Sequence, residues 1–378
     1  MKPNHTKPAL AQFLIALLFM TTACSSSVTP SPSAPPITET DPPPTPSSSL
    51  TPIELEAGYG VKGPWFELYF TNPASPLSPQ GTGGVDGPLA AAIDNAKLSI
   101  DVAVYSLSLN SVRYALIDAF NRGVTVRMVM ESENMDRSDV QALLEAGIPI
   151  VGDNQPGLMH DKFMVIDKSE TWVGSMNYTD SGAYDDNNNM IRIFSTKLAE
   201  NYTTEFEEMF IDNLFGELVR AETPHPDLTL DGTEIQTFFS PDDGVLKTIA
   251  PLLQNAQQSI HFLAYSFTSN ELGDILRQQH ESGLTVQGVM EAEQVKSNQG
   301  TEYDPFQQAD MQVRLDGNEG QMHHKVFIID EHIVILGSYN FSRAAEERND
   351  ETILIIDNAE IAQQYLQESK RVWEQAQP

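Results

Sequence analysis

The sequence predicts an α/β protein built from two similar domains, on the evidence of an internal repeat and of alternating strand-like and helix-like segments. Residues 95–107 resemble residues 255–267, and Val126–Glu133 (VRMVMESE) resembles Val286–Glu293 (VQGVMEAE), both at a separation of 160 residues. Residues 159–177 resemble residues 322–340 at a separation of 163. This period is far too long for a solenoid, so the repeat indicates a duplicated domain.

The elements of the first copy alternate between apolar, β-rich runs and helical stretches. Strands are predicted at Phe66–Thr71, Ile100–Tyr105, Val124–Met130, Lys162–Ile166 and Thr171–Val173, and helices at 111–121 and 138–146. Gly123 and Gly283 each follow a predicted helix, as glycines at helix C-termini do. Strand runs that are apolar on both faces indicate a sheet covered on both sides by helices. Ile235–Ser240 matches the first strand, and the first copy carries an additional Pro/Gly/Ser loop at 72–87.

The N-terminal segment lies outside the repeat and has the features of a targeting signal. Lys2 and Lys7 precede the apolar run Ala9–Met20, which is too short to span a bilayer and is typical of a secretory signal peptide. The run ends near Cys24, the single cysteine, and resembles a bacterial lipoprotein signal in which this cysteine is lipidated. Thr21 departs from that pattern, and an ordinary signal peptide is the alternative. The predicted boundaries are a signal peptide at 1–23, a Ser/Thr/Pro-rich linker at 24–55, and domains at 56–223 and 224–378.

The composition restricts the function. The chain has 22 Lys and Arg against 53 Asp and Glu, a formal net charge of −31. Because nucleic-acid binding relies on clustered basic residues, this balance disfavours a general nucleic-acid-binding protein. A single cysteine excludes an intramolecular disulfide and cysteine-rich zinc sites.

One motif, H-x-K-x(4)-D-x(6)-G-S-x-N, occurs in both copies. Its residues are His160, Lys162, Asp167, Gly174, Ser175 and Asn177 in the first copy, and His323, Lys325, Asp330, Gly337, Ser338 and Asn340 in the second. Residues two apart on a strand point to the same face, so the histidine and lysine of each copy should lie together. Six fixed positions found twice are a strong signal.

The motif resembles that of the phospholipase D superfamily, and the resemblance covers most of residues 60–375. It implies two α/β/α sandwich domains related by a pseudo-two-fold axis, with the active site at their interface. One histidine would attack phosphorus and form a phosphohistidine, while the other would protonate the leaving oxygen and then activate water or an alcohol. No metal or cofactor is implied, and one chain would be catalytically complete as a monomer.

The resemblance also assigns supporting roles. Lys162, Lys325, Asn177 and Asn340 would stabilise the phosphoryl oxygens, and Ser175 and Ser338 would hold that network. Asp167 and Asp330, grouped with the catalytic residues, would order the site rather than react.

An asymmetry distinguishes the two copies. Glu351 stands 28 residues after His323, where the family often has an acid that hydrogen-bonds the catalytic imidazole, and the equivalent position in the first copy is Asn188. Because a carboxylate partner raises the pKa of a histidine, we predict that His323 is the acid and His160 the nucleophile. Asp185 or Asp186 is an alternative carboxylate for the first copy.

Several functions are compatible with these features. The favoured one is hydrolysis of glycerophospholipids to phosphatidic acid and a head-group alcohol. The alternatives are a secreted or surface-anchored nuclease acting on DNA or RNA, a phosphatidyltransferase, and a non-catalytic anchored scaffold. We expect an exported protein, held at the bacterial cell membrane or outer membrane through lipidated Cys24, or else secreted.

Overall fold

The computed structural model describes residues 50–377, whose strands form two mixed sheets. The first sheet contains β1 Thr51–Leu55, β2 Gly58–Lys62, β3 Phe66–Thr71, β4 Ser99–Val104, β5 Thr125–Met130, β6 Ile150–Gly152, β7 Lys162–Ile166, β8 Glu170–Gly174 and β9 Asn189–Phe194. The second contains β10 Asp227–Leu230, β11 Thr233–Ser240, β12 Ser259–Ala264, β13 Thr285–Met290, β14 Gln312–Leu315, β15 Lys325–Ile329, β16 Ile333–Gly337 and β17 Glu351–Asp357. The strand orders are β1-β2-β3-β9-β8-β7-β4-β5-β6 and β10-β11-β17-β16-β15-β12-β13-β14.

Helices connect and cover these strands. They are α1 Asp86–Asn95, α2 Asn110–Asn121, α3 Ser138–Glu145, α4 Asp180–Tyr184, α5 Thr196–Phe210, α6 Val245–Gln254, α7 Asn270–Glu281, α8 Ala292–Ser297, α9 Tyr303–Gln308, α10 Arg343–Glu347 and α11 Ala359–Gln375. The order β3-β9-β8-β7-β4-β5-β6 of the first half is repeated as β11-β17-β16-β15-β12-β13-β14 in the second. The predicted α/β class with two related halves is therefore confirmed.

The predicted elements differ from the observed ones mainly at the first boundary. Residues 51–55 were assigned to the linker, but they form β1 and pair with β2 at the edge of the first sheet. The predicted loop at 72–87 contains a short 3₁₀ helix at Ser78–Gln80 and the start of α1. The predicted signal peptide and Cys24 lie outside the described residues. Within 50–377, no helix is both long and apolar enough to cross a membrane.

Local sequence signals explain where several helices begin and end. Gly123 and Gly283, just beyond α2 and α7, have φ angles of +91° and +95°, a region that glycine adopts without steric cost. The side chains of Ser195 and Asn358 accept backbone N–H groups in the first turns of α5 and α11. These two helices lead away from β9 and β17, the strands that follow the candidate site residues.

Helix α11 joins the second half to the first through a buried polar network. Glu368, fully buried, accepts bonds from Arg371 Nε at 2.7 Å and pairs with His324 Nε2 at 2.8 Å. Arg371 Nη2 donates to Asn187 Oδ1 of the first half at 2.6 Å, and Tyr59 of β2 donates to Glu368. Burial alone would raise the pKa of Glu368, but Arg371 and His324 lower it to about 2. The network therefore fixes the second half against the loop that precedes β9.

Candidate active site

Each catalytic-motif histidine lies just before a central strand and is held by the backbone of the other half. The amide of His160 donates to Asp350 O, and that of His323 donates to Asn187 O, both at 3.0 Å. His160 is 7% exposed and His323 5%. The two motifs thus meet at the junction between the halves, where each histidine segment runs beside a segment of the other half.

The side chains cross the junction in the same way. His160 Nδ1 lies 2.7 Å from Glu351 Oε2, and His323 Nδ1 lies 3.0 Å from Asn188 Oδ1. The prediction that Glu351 partners His323, the histidine of its own copy, is therefore wrong. The sheet order explains this, because the turn before β17 faces the first half and the turn before β9 faces the second.

Further hydrogen bonds fix these two partners. Glu351 Oε1 accepts Asn349 Nδ2 at 3.2 Å. Asn188 Oδ1 accepts Ser175 Oγ at 2.7 Å, while its Nδ2 donates to Gly182 O at 2.9 Å. The amide oxygen of Asn188 therefore faces His323, whose Nδ1 must carry the proton. Neither imidazole Nε2 has a hydrogen-bond partner within residues 50–377, so that nitrogen is available for chemistry.

The two lysines are buried beside the histidines. Lys162 Nζ donates to His160 O at 2.5 Å, and Lys325 Nζ donates to His323 O at 2.7 Å. Each ammonium also lies over a tyrosine ring, Tyr105 at 5.3 Å and Tyr265 at 4.5 Å from the centroid.

The two tyrosines also contact the histidine rings edge-on, with centroid separations of 5.3 Å for His160 and 4.7 Å for His323. Tyr105 and Tyr265 lie outside the repeated H-x-K motif and were not predicted as site residues. Their signal was present, since both stand in the repeated runs VAVYSL and FLAYSF.

Burial sets the charge of these groups. It lowers the pKa of His160 to about 4, against the opposing effect of Glu351. Burial and the cation of Lys325 hold the pKa of His323 well below its usual range. Burial also lowers the pKa of Lys162 to about 7 and, with Lys162 nearby, holds the pKa of Lys325 well below its usual range. Both imidazoles are therefore neutral at pH 7 in the free site.

The remaining motif residues fall into two groups. The Oδ1 atoms of Asn177 and Asn340 are buried and have no hydrogen-bond partner among the described residues. Ser338 Oγ accepts the amide of Thr352 at 3.0 Å, a local contact like those of Ser175. These residues lie where a turn follows β8 or β16.

Asp167 and Asp330 lie elsewhere, and their prediction as members of the catalytic set is corrected. Asp167 lies five positions after Lys162, just past the other end of β7 and roughly 17 Å away at about 3.3 Å per residue. Asp167 accepts three consecutive backbone amides at the start of β4, those of residues 97–99, at 2.6–3.1 Å. Asp330 does the same for residues 257–259. These carboxylates stabilise turns at the opposite end of the strands.

The other acids predicted near the site contact the loop that precedes His323 in the second half. Asp186 Oδ1 accepts the amide of Gln321 at 2.9 Å, and Asp185 O accepts Asn318 Nδ2 at 2.8 Å. Neither bonds to a catalytic-motif histidine in the described structure. Residues 50–377 also contain no group of three or more His, Cys, Asp or Glu side chains arranged to hold a metal ion.

Comparison with known proteins identifies the class. The family model described as cardiolipin synthase, PLD-like domain matches residues 89–210 and 249–373. A phospholipase D of Rickettsia bellii is 31% identical over 161 residues, which are 41% of this chain and 80% of that protein. Human mitochondrial cardiolipin hydrolase is 32% identical over 136 residues, 36% of this chain and 54% of that protein.

The fold agrees. The crystal structure of phosphatidylserine synthase from Haemophilus influenzae Rd KW20 superposes with a TM-score of 0.62 at 13% identity, covering 78% of this chain and 86% of the synthase chain. The chain belongs to the phospholipase D superfamily. Within that superfamily it is a phosphodiesterase, a hydrolase of phosphoric diesters.

Proposed function

We propose that the enzyme hydrolyses glycerophospholipids to phosphatidic acid and a head-group alcohol through a phosphohistidine on His160. The observation that carries the mechanism is the crossed pairing, in which each histidine is oriented through Nδ1 by the other half and leaves Nε2 free. Two buried lysines beside these rings supply the positive charge that a phosphodiester needs.

His160 is the better nucleophile because of its carboxylate partner. When Nε2 attacks phosphorus and Nδ1 keeps its proton, the phosphorylated ring becomes cationic. Glu351, 2.7 Å from Nδ1, stabilises that charge, whereas the amide of Asn188 beside His323 carries none. His160 is therefore still the proposed nucleophile, but for a different reason: Glu351 was predicted to raise the pKa of the acid His323, whereas it pairs with His160.

The two imidazoles divide the bond-forming and proton-transfer steps of the reaction between them. His160 Nε2 forms a bond to phosphorus while the bond from phosphorus to the head-group oxygen breaks, and the imidazolium of His323 gives its Nε2 proton to that oxygen. A bound phosphodiester anion favours the protonated form of His323, opposing the effect of burial. Neutral His323 next takes a proton from water, whose oxygen attacks phosphorus and releases His160. Lys162, Lys325 and the Asn177 and Asn340 amides hold the phosphoryl oxygens throughout.

The lipid assignment is supported by charge and by relatives. Carboxylates line two surface cavities, Asp185 and Glu319 in one and Glu217, Asp242 and Glu346 in the other. Together with the net charge of −31, they disfavour a long polyanion. The matched relatives are named phospholipase D and cardiolipin hydrolase. Export and anchoring through Cys24 would bring the enzyme to lipid surfaces.

The test is hydrolysis by the purified protein of labelled phosphatidylcholine and phosphatidylglycerol in mixed micelles, beside single-stranded DNA. Phosphatidic acid should form, and His160→Ala should lose at least about 10³-fold in kcat. His280→Ala, which changes a histidine on α7 away from the site, is the matched control. Cleavage of DNA without lipid would contradict the proposal, and a new phosphatidyl ester made with an added alcohol would indicate a transferase.

Trapping the intermediate tests the mechanism separately. Acid-free quenching with a ³²P-labelled substrate followed by peptide sequencing should place phosphate on His160. Phosphate on His323 would reverse the two roles.

A further inference from the structure

Two buried glutamates, Glu131 and Glu291, occupy equivalent positions in the two halves. They directly follow β5 and β13, and each is 3% exposed. In the described structure neither hydrogen-bonds to a histidine or lysine of the site. They need an explanation because burying a carboxylate is costly unless its oxygens accept hydrogen bonds.

Each carboxylate holds the backbone that leads into a catalytic-motif histidine. Glu131 Oε2 accepts the amide of Met159 at 3.2 Å, and Glu291 Oε2 accepts the amide of Met322 at 2.7 Å. The Oε1 atom of each glutamate accepts the backbone amide two residues after the glutamate itself, Glu133 at 3.2 Å and Glu293 at 3.1 Å. Each glutamate thus connects the turn after its strand to the residue before His160 or His323.

The opposite side of the same segment is held by the other half. Met159 forms a parallel bridge with Asp350, and Met322 forms one with Asn187. Asp350 and Asn187 immediately precede the side chains that bond to the imidazoles. A shift of either methionine segment would therefore move an imidazole relative to its Nδ1 partner.

A second acid stands behind each glutamate. Asp153 and Asp316 accept the amides of Ser132 and Ala292, both at 2.8 Å, in the same turns. Burial and the neighbouring Asp316 raise the pKa of Glu291 to about 7. Burial and Asp153 likewise raise the pKa of Glu131. When ionised, Glu291 also favours the charged form of Lys325.

We propose that Glu131 and Glu291 are positioning residues, which fix the segments before His160 and His323 against the other half so that each imidazole meets its partner. The inference rests on the proposed assignment of these histidines as the reacting groups. It applies to any phosphodiester that the site accepts, lipid or not.

The test compares Glu291→Ala with Glu291→Gln on bis(p-nitrophenyl) phosphate, a non-lipid diester. The alanine variant should lose about 10- to 100-fold in kcat, as small misplacements of reacting groups do, with KM within about threefold. Glutamine keeps an acceptor for the Met322 amide, so its kcat should lie between those of alanine and wild type. The wild-type fall in kcat as pH decreases through about 7 should be absent in Glu291→Gln.

Two controls make the outcome decisive. Glu293→Gln alters a carboxylate in the same turn that is 76% exposed, and kcat should stay within about twofold. Hydrogen exchange of the Met322 amide should accelerate in the alanine variant and not in the glutamine variant.

Unchanged kcat in Glu291→Ala would overturn the proposal. An unchanged acidic limb in the pH profile of Glu291→Gln would also overturn it, and this second test does not depend on whether the alanine variant folds. A wild-type protein that cleaves the chromogenic diester but no phospholipid contradicts only the lipid assignment, and the glutamate variants are still judged by kcat.

Discussion

Replacing Glu351 with glutamine should slow formation of the phosphohistidine by about two orders of magnitude. The carboxylate is fully buried and lies 2.7 Å from His160 Nδ1. Opposite unit charges about 4 Å apart attract by ~4 kcal/mol at the effective dielectric of such a site. Glutamine retains a neutral hydrogen bond of ~1 kcal/mol, so the net loss is ~3 kcal/mol, or roughly 10²-fold in rate.

The pseudo-symmetry of the site provides the matched comparison, Asn188→Ala beside His323. If His160 attacks and His323 protonates the leaving oxygen, the two variants should respond differently to the leaving group. Glu351→Gln should be slow with both p-nitrophenol and choline leaving groups. Asn188→Ala should be slow with choline and nearly normal with p-nitrophenol, which needs little protonation.

Rapid-quench measurement of the first turnover separates these steps from product release. The reasoning is refuted if Asn188→Ala slows the p-nitrophenyl substrate as strongly as Glu351→Gln does. It is also refuted if Glu351→Gln affects only the poor leaving group, since that result would make His160 the acid.

Three further predictions concern ionisation and stability. The kcat/KM value should fall as pH rises through about 7, because the free enzyme needs Lys162 protonated and its pKa is lowered to about 7; a profile flat to pH 9 would contradict this. Arg371→Leu leaves Glu368 buried without its cation and should reduce the free energy of unfolding by about 3–5 kcal/mol in urea titrations, against a surface control, Lys370→Leu. Asp167→Ala removes the acceptor of three backbone amides and should lower Tm while kcat stays within about threefold; loss of kcat without loss of Tm would return Asp167 to the active site.

The sequence predicted the sheets and the site because both depend on local or repeated patterns. The strand at Lys162–Ile166 agrees with the prediction, since β-rich residues and the repeat marked it. The two histidine–lysine pairs could be placed together because the motif occurs twice and residues two apart share a face of a strand. The first strand of the first sheet was not predicted. Thr51–Leu55 directly follows a Pro-rich stretch, and it lies at the edge of the sheet, where it pairs only with β2.

The crossed pairing could not be predicted from spacing alone. Glu351 stands at the same distance from His323 as Asn188 does from His160, so separation along the chain suggested a partner within each copy. Which imidazole it meets depends on how the halves face each other, a property of tertiary packing. The position of Asp167 far from the histidines, in contrast, could have been predicted from the sequence. The motif extends along the whole of one strand, so its first and last residues must lie at opposite ends of that strand.

The backbone acceptor and the ring partner of each histidine both come from the other half, so neither half contains a complete site. A fragment ending before β10 would contain His160 and Lys162 but lack the Asp350–Glu351 segment that orients His160. The connection at residues 219–226, between the last 3₁₀ turn of the first half and β10, is therefore a natural place to divide the gene. Two inactive polypeptides expressed together should reconstitute one working enzyme, and an inactivating change in either fragment should be rescued by supplying an intact copy of that fragment.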